Sequence, residues 1–300
     1  MKRKLIILLA MLTVFCGQAA ADHSLSIVAA NFPCYDFARQ VVGDHGEVTL
    51  LIRPGVEVHS YEPSPADILA IGQADLFVYI GGEGDAWADD ILEGFDGEDA
   101  PARLRMMEAV TPLEEEGGMH DDEMPEYDEH IWTSPRNAMA MVEALSDALC
   151  ALEPAQADIW RGAADDYIEK IAGIDAAFSD VVANAARREL VFADRFPFLY
   201  FVRAYGLDYV AAFPSCTADT EPTPQTMLTL IRRVIDDGIP AVYTIEMSTK
   251  TVARTVAEET GATVLMMHSL QTVTQAEFDA GETYVSIMWK NVDALREGLM

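Results

Sequence analysis

Eight short runs that read as strands alternate with helical patterns along this chain, four in each half. They are Ser26 to Asn31, Val48 to Ile52, Leu76 to Ile80 and Leu104 to Met107, then Leu190 to Ala193, Tyr209 to Phe213, Ala241 to Ile245 and Thr263 to Met267. Runs that are apolar throughout offer no face to water, so they belong to parallel sheets covered on both sides, and the intervening helices supply the cover. The predicted fold is α/β, with two similar lobes, each a parallel four-stranded sheet flanked by helices.

Between the halves, Ile159, Ala163, Tyr167, Ile171, Ile174, Phe178 and Val182 recur at three- and four-residue intervals within Ala155 to Ala186. That is the period of an amphipathic helix, roughly 45 Å long at ~1.5 Å per residue. Such a helix fits a rigid spine joining two lobes better than a flexible tether, although a long helix inside one larger domain has the same pattern. The predicted divisions are a leader at residues 1–21, an N-terminal lobe at 22–153, the connecting helix at 154–186 and a C-terminal lobe at 187–300. A faint repeat supports duplication. Glu62-Pro63-Ser64-Pro65 and Glu221-Pro222-Thr223-Pro224 each set an N-cap hydroxyl before a proline at the first helical position, where its missing N–H costs nothing.

The leader assignment rests on Lys2-Arg3-Lys4, the apolar run Leu5 to Phe15 and then Ala19-Ala20-Ala21. That order is a secretory signal peptide cleaved after Ala21. Its apolar core is far shorter than the roughly 20 residues of a membrane-spanning helix. Cys16 offers a competing reading as a lipid-anchored cysteine, but Phe15 stands where lipoprotein signals place a small residue. The expected location is the periplasm or the extracellular face of the membrane. Loss of the three leading basic residues leaves 17 basic against 50 acidic side chains. That surface repels nucleic acid and anionic lipid, which excludes both as partners.

Removal of Cys16 leaves Cys34, Cys150 and Cys216, an odd number in an oxidising compartment. Cys150 falls in the helical pattern of Met139, Val142, Leu145 and Leu149 and reads as a core residue. The stretch Glu114 to Glu123, with His120 and two glycines, has high charge and no apolar period. It reads as a solvated loop.

Open α/β sheets bind ligands beyond the carboxyl ends of their strands. His59, His130 and His268 each follow a predicted strand, and Cys216 follows a fourth. Imidazoles with one thiolate or carboxylate suit zinc, whereas manganese favours more oxygen donors. No His-Glu-x-x-His or Gly-x-Ser-x-Gly occurs, and Gly81-Gly82-Glu83-Gly84 lacks the lysine and spacing of a P-loop. Glu57, Glu62, Glu129 or Glu246 could act as general base if a zinc centre kept an open coordination position.

Several segments carry a family resemblance. They are Asn31-Phe32-Pro33, Gly55-Val56-Glu57-Val58-His59-Ser60-Tyr61-Glu62-Pro63, Ala74-Asp75-Leu76-Phe77-Val78-Tyr79-Ile80-Gly81-Gly82, Asp128-Glu129-His130-Ile131-Trp132-Thr133-Ser134-Pro135 and Tyr205-Gly206-Leu207. Together they resemble the ZnuA/TroA-like zinc and manganese substrate-binding proteins of ABC importers, over nearly the whole mature chain. The resemblance implies a metal held between two α/β lobes, with His59 and His130 as the first two ligands. His268 lies where the family has a carboxylate ligand. Ala193 stands where the family has its third histidine, ahead of Asp194-Arg195-Phe196. Cys216 is the candidate replacement, with Asp194, Glu221 and water as rivals. The implied function is zinc capture, with manganese as the alternative cargo, by a monomer that delivers to a membrane permease and its ATPase. Such a protein is not an enzyme. A zinc-dependent hydrolase and a metal-binding surface adhesin are the rival readings.

Overall fold

The computed structural model describes residues 24–95, 97, 100–115, 126–213 and 222–300. The leader with Cys16, His120 of the acidic loop, Cys216 and Glu221 lie outside the described residues. In the N-terminal half, strands β1 (Leu25–Ala29), β2 (Gly46–Leu50), β3 (Leu76–Tyr79) and β4 (Ala102–Arg105) form one sheet in the order β2-β1-β3-β4. In the C-terminal half, β5 (Glu189–Phe192), β6 (Asp208–Ala211), β7 (Ala241–Thr244) and β8 (Thr263–Met266) form a second sheet, β6-β5-β7-β8. All six strand pairings are parallel, so the two lobes share one topology.

Side chains on successive strand residues point to opposite faces, and the central strands use both faces for core. Ile27 and Ala29 of β1 and Leu76 and Val78 of β3 enter a core continuous across the two lobes. Val28, Phe77 and Tyr79 face a second cluster with Ile71 and Ala88. In the other lobe Leu190, Phe192 and Tyr243 join the shared core, while Val191 and Val242 pack against Leu230 and Val256 on the outer face. The edge strands differ from the sequence expectation, because β2, β4, β6 and β8 are only partly buried. An edge strand has one neighbour and less cover, and the apolar residues beyond β4 continue into a short 3₁₀ turn, Met106–Ala109.

The connecting helix α5 (Ala157–Asn184) packs along α4 (Pro135–Leu152), α1 (Phe32–Val42) and α10 (Tyr284–Leu299). Its buried stripe runs Trp160, Ala164, Tyr167, Ile171, Ile174, Phe178, Val181 and Val182. The first turns are thus rotated by one residue from the predicted Ile159 and Ala163. Trp160 has the larger apolar surface to bury and meets the His45 ring edge-on at 5.8 Å, leaving Ile159 exposed. The helices α2 (Pro65–Gln73) and α7 (Pro224–Asp236) begin as the sequence predicts. Ser64 accepts from Asp67 N–H, Thr223 accepts from Thr226 N–H, and proline occupies the first turn of each. The remaining helices are α3 (Ala86–Glu93), α6 (Leu199–Tyr205), α8 (Thr251–Thr260) and α9 (Gln275–Asp279). No described helix is long and apolar enough to cross a membrane.

Candidate metal centre

The loop after β2 carries His59, and the segment running into α4 carries Asp128, Glu129 and His130. His59, Glu129 and His130 each offer a ligand atom within 4.8 Å of the other two. Donors around a tetrahedral zinc lie roughly 3.3 Å apart, given bonds of about 2.0–2.1 Å, so the two imidazoles stand near enough to serve one ion, with the Glu129 carboxylate beside them. The two imidazole rings stand 5.7 Å apart at 60°.

Each histidine is held by a carboxylate on its Nδ1. His59 Nδ1 lies 3.1 Å from Glu129 Oε1, and His130 Nδ1 lies 3.2 Å from Asp128 Oδ1. A carboxylate can only accept, so the proton sits on Nδ1 and Nε2 is the nitrogen that each ring could offer to a metal. This carboxylate–histidine pairing fixes tautomer and ring orientation and strengthens the nitrogen as a donor. Asp128 also accepts the His130 backbone N–H at 2.8 Å, and its own carbonyl accepts Tyr200 O–H from the other lobe at 2.9 Å.

Glu129 in turn depends on a glycine cradle. Its Oε2 accepts the Gly84 N–H at 2.9 Å. A Cβ on Gly82 would fall 2.4 Å from Glu129 Cβ, and one on Gly84 would fall 2.7 Å from Oε1. The Gly81-Gly82-Glu83-Gly84 loop therefore receives a carboxylate side chain instead of a phosphate. Burial alone would raise the Glu129 carboxyl, but the His59 hydrogen bond and the two neighbouring imidazoles outweigh it and hold the group below its ordinary range. Behind it, burial and the Glu129 charge push Asp85 up to about 7, against the Gly81 and Ile80 N–H bonds that favour the anion. A cavity of about 200 Å³ opens onto the cluster, rimmed by Glu83, Glu115 and Tyr127. Its lining is acidic and suits a cation.

A family model described as "Zinc-uptake complex component A periplasmic" matches residues 27–298. The chain belongs to the ZnuA family. It is similar to the zinc-binding lipoprotein AdcA of Streptococcus pneumoniae, 32% identical over 97% of this chain and 59% of that protein. It is 28% identical to the high-affinity zinc uptake system protein ZnuA of Bacillus subtilis, over 97% of this chain and 94% of the relative. Among solved structures, the Zn(II)-bound ZnuA-like domain of Streptococcus pneumoniae AdcA superposes with a TM-score of 0.79 at 31% identity, covering 92% of this chain and 99% of that one. The chain spans about three fifths of the AdcA relatives it matches.

In this ZnuA-family chain the structure gathers His59 and His130 but does not gather His268 with them. His268 is buried beyond β8, where its N–H donates to Asn291 Oδ1 and its carbonyl accepts from Asn291 Nδ2. Its Nδ1 accepts the Leu270 N–H at 2.9 Å and lies 3.5 Å from Glu246, while Nε2 lies 3.7 Å from Glu277. Burial works to lower its pKa, but the two glutamates prevail and raise it. These bonds commit the ring to the C-terminal lobe. Leu270 then takes a left-handed turn at φ 63°, which sends Gln271 across the cleft to within 2.7 Å of His59 Nε2.

Ala193 is buried at the end of β5 and borders a larger cavity, about 670 Å³, with Asp194, Arg195 and Met247. Asp194 accepts the Arg195 N–H and is not part of the histidine cluster. Sequence reasoning offered Glu129 only as a general base and passed over Gln271. The usable signal for Glu129 was its adjacency to His130 together with a glycine-rich loop that no phosphate motif explained.

Proposed function

We propose that this chain is the zinc-capturing, extracytoplasmic substrate-binding component of an ABC importer, and not an enzyme. It would pass the ion to a membrane permease driven by an ATPase. The observation that carries the reading is the pair of imidazoles, His59 and His130, whose tautomers are fixed by Glu129 and Asp128 at an acidic cavity of the N-terminal lobe. Two nitrogen donors favour zinc over manganese, which prefers oxygen. Membership of a zinc-uptake family and the likeness to AdcA and ZnuA support the same cargo.

Titration of metal-stripped protein with zinc, with manganese as competitor, tests this directly. One tight zinc per chain that manganese does not displace is the expected result, and no tight binding would end the proposal. Because an ion that binds only the folded state adds RT ln(1 + [L]/Kd) to stability, zinc at 1,000 Kd should contribute about 4 kcal/mol. At about 2 °C per kcal/mol for a chain of this size, the melting temperature should rise by roughly 8 °C. A melting temperature indifferent to saturating zinc would contradict the reading.

The glycine cradle yields a second test. Gly82→Ala drives a methyl group into Glu129 and should release the His59 ring from its orienting partner, as Glu129→Gln does more directly. Loss of such a partner costs about 10–100-fold in metal affinity. Isothermal titration should find both variants in that range. An unchanged affinity for Glu129→Gln would remove the carboxylate from the site.

A further inference from the structure

The two lobes are joined closely around the cluster. Trp132 Nε1 donates to Ser269 O at 2.7 Å, Gly55 N to Val273 O at 2.8 Å and Tyr200 O–H to Asp128 O at 2.9 Å. The shared core runs beneath them without a break. Opening the cleft as a hinge would break all of these together, so exchange of an ion is better served by a side chain that can swing.

Gln271 has the required placement. Its backbone is fixed by the left-handed Leu270, by its own N–H on Ser269 Oγ at 3.2 Å, and by Ser269, whose N–H and hydroxyl both bond to the buried Glu246. Its side chain alone reaches His59, with Nε2 to Nε2 at 2.7 Å. Glu129 fixes the proton on His59 Nδ1, so His59 Nε2 is the acceptor and the carboxamide N–H is the donor. The lone pair that accepts this bond is the one a metal ion needs. The two uses exclude each other.

Resting on the zinc-capture reading above, we propose that Gln271 is a displaceable latch that competes with the ion for His59 Nε2. The carboxamide swings away as zinc binds and returns to His59 as zinc leaves. Release thus restores a hydrogen bond in place of a bare nitrogen, and the ion is bound less tightly than the histidines alone would allow. A carrier that must surrender its cargo gains from this arrangement.

The test is zinc affinity and dissociation rate, measured by competition with a chromophoric chelator, for the wild type, Gln271→Met and Gln271→Ala. Methionine keeps the length and bulk of glutamine and removes the N–H, so a role in packing alone would leave its affinity at the wild-type value. The latch predicts that both variants bind zinc more tightly, by about fivefold, the worth of one neutral hydrogen bond, with slower release. Wild-type protein that binds no zinc would overturn the capture reading itself. Wild-type protein that binds zinc, with variants of equal affinity, would overturn the latch alone. Weaker binding by both variants would also overturn it and make the carboxamide a donor to the ion.

Discussion

His130→Ala is expected to abolish tight zinc binding, and His59→Ala to do nearly the same. Removing an outer partner of a metal ligand costs about 10–100-fold in affinity, and removing the ligand itself should exceed the upper end of that range. His130 should show the larger loss. It is almost fully buried, with Asp128 on Nδ1 and on its backbone N–H, so its Nε2 is held at one position by two bonds and by the Trp132 ring at 5.4 Å. His59 sits on a longer loop, tied across the cleft by Gly55 N–H to Val273 O. Titration of both variants alongside His268→Gln makes the comparison informative. His268 is bonded to Asn291, Leu270, Glu246 and Glu277, all in its own lobe. Its replacement should lower stability and leave zinc affinity within a few-fold of wild type. A large affinity loss for His268→Gln with wild-type behaviour for His130→Ala would overturn the assignment of the centre.

The fold was legible because its signals are local. The central strands bury both faces, so Leu76 to Tyr79 and Ala241 to Tyr243 carry no charged or strongly polar residue, and Ser64-Pro65 and Thr223-Pro224 carry their own helix starts. The edge strands were placed less well, since half-burial weakens the pattern that locates them. At the candidate site, His59 and His130 could be singled out because each follows a strand of the same sheet. Glu129 was offered only as a general base because its placement depends on Gly82 and Gly84, some 45 residues earlier, making room for it. Gln271 was passed over for a different reason. Gln271 reaches His59 after a positive φ at Leu270, and leucine gives no warning of that conformation.

Asp36→Ala should cost the protein about 3–5 kcal/mol, the range for removing one partner from a buried charge network. Asp36 is fully buried in α1, where its Oδ2 accepts Tyr167 O–H of α5 at 2.5 Å and the Tyr284 N–H of α10 at 2.8 Å. Its Oδ1 takes Arg39 Nε at 2.8 Å, and Arg39 reaches on to the Glu282 carbonyl. One carboxylate thus ties the N-terminal lobe to the spine and to the last helix. Burial and then the Asp36 charge push the Tyr167 phenol far above its ordinary pKa, which keeps it a donor at every accessible pH. Alanine leaves the Tyr167 hydroxyl, the first N–H of α10 and a guanidinium short of their shared acceptor. Asparagine keeps one oxygen and should lose roughly 1–3 kcal/mol. Denaturant unfolding measures both, and a loss below about 1 kcal/mol for alanine would show that the hub is dispensable. Tyr284 O–H donates to the Trp132 carbonyl, and Trp132 spans the cleft to Ser269, so the hub also supports the wall of the metal centre. Below its lowered melting point, Asp36→Ala should still bind one zinc per chain, because no donor to the ion has been removed. Zinc should then recover a larger share of the lost stability than it adds, proportionally, to the wild type.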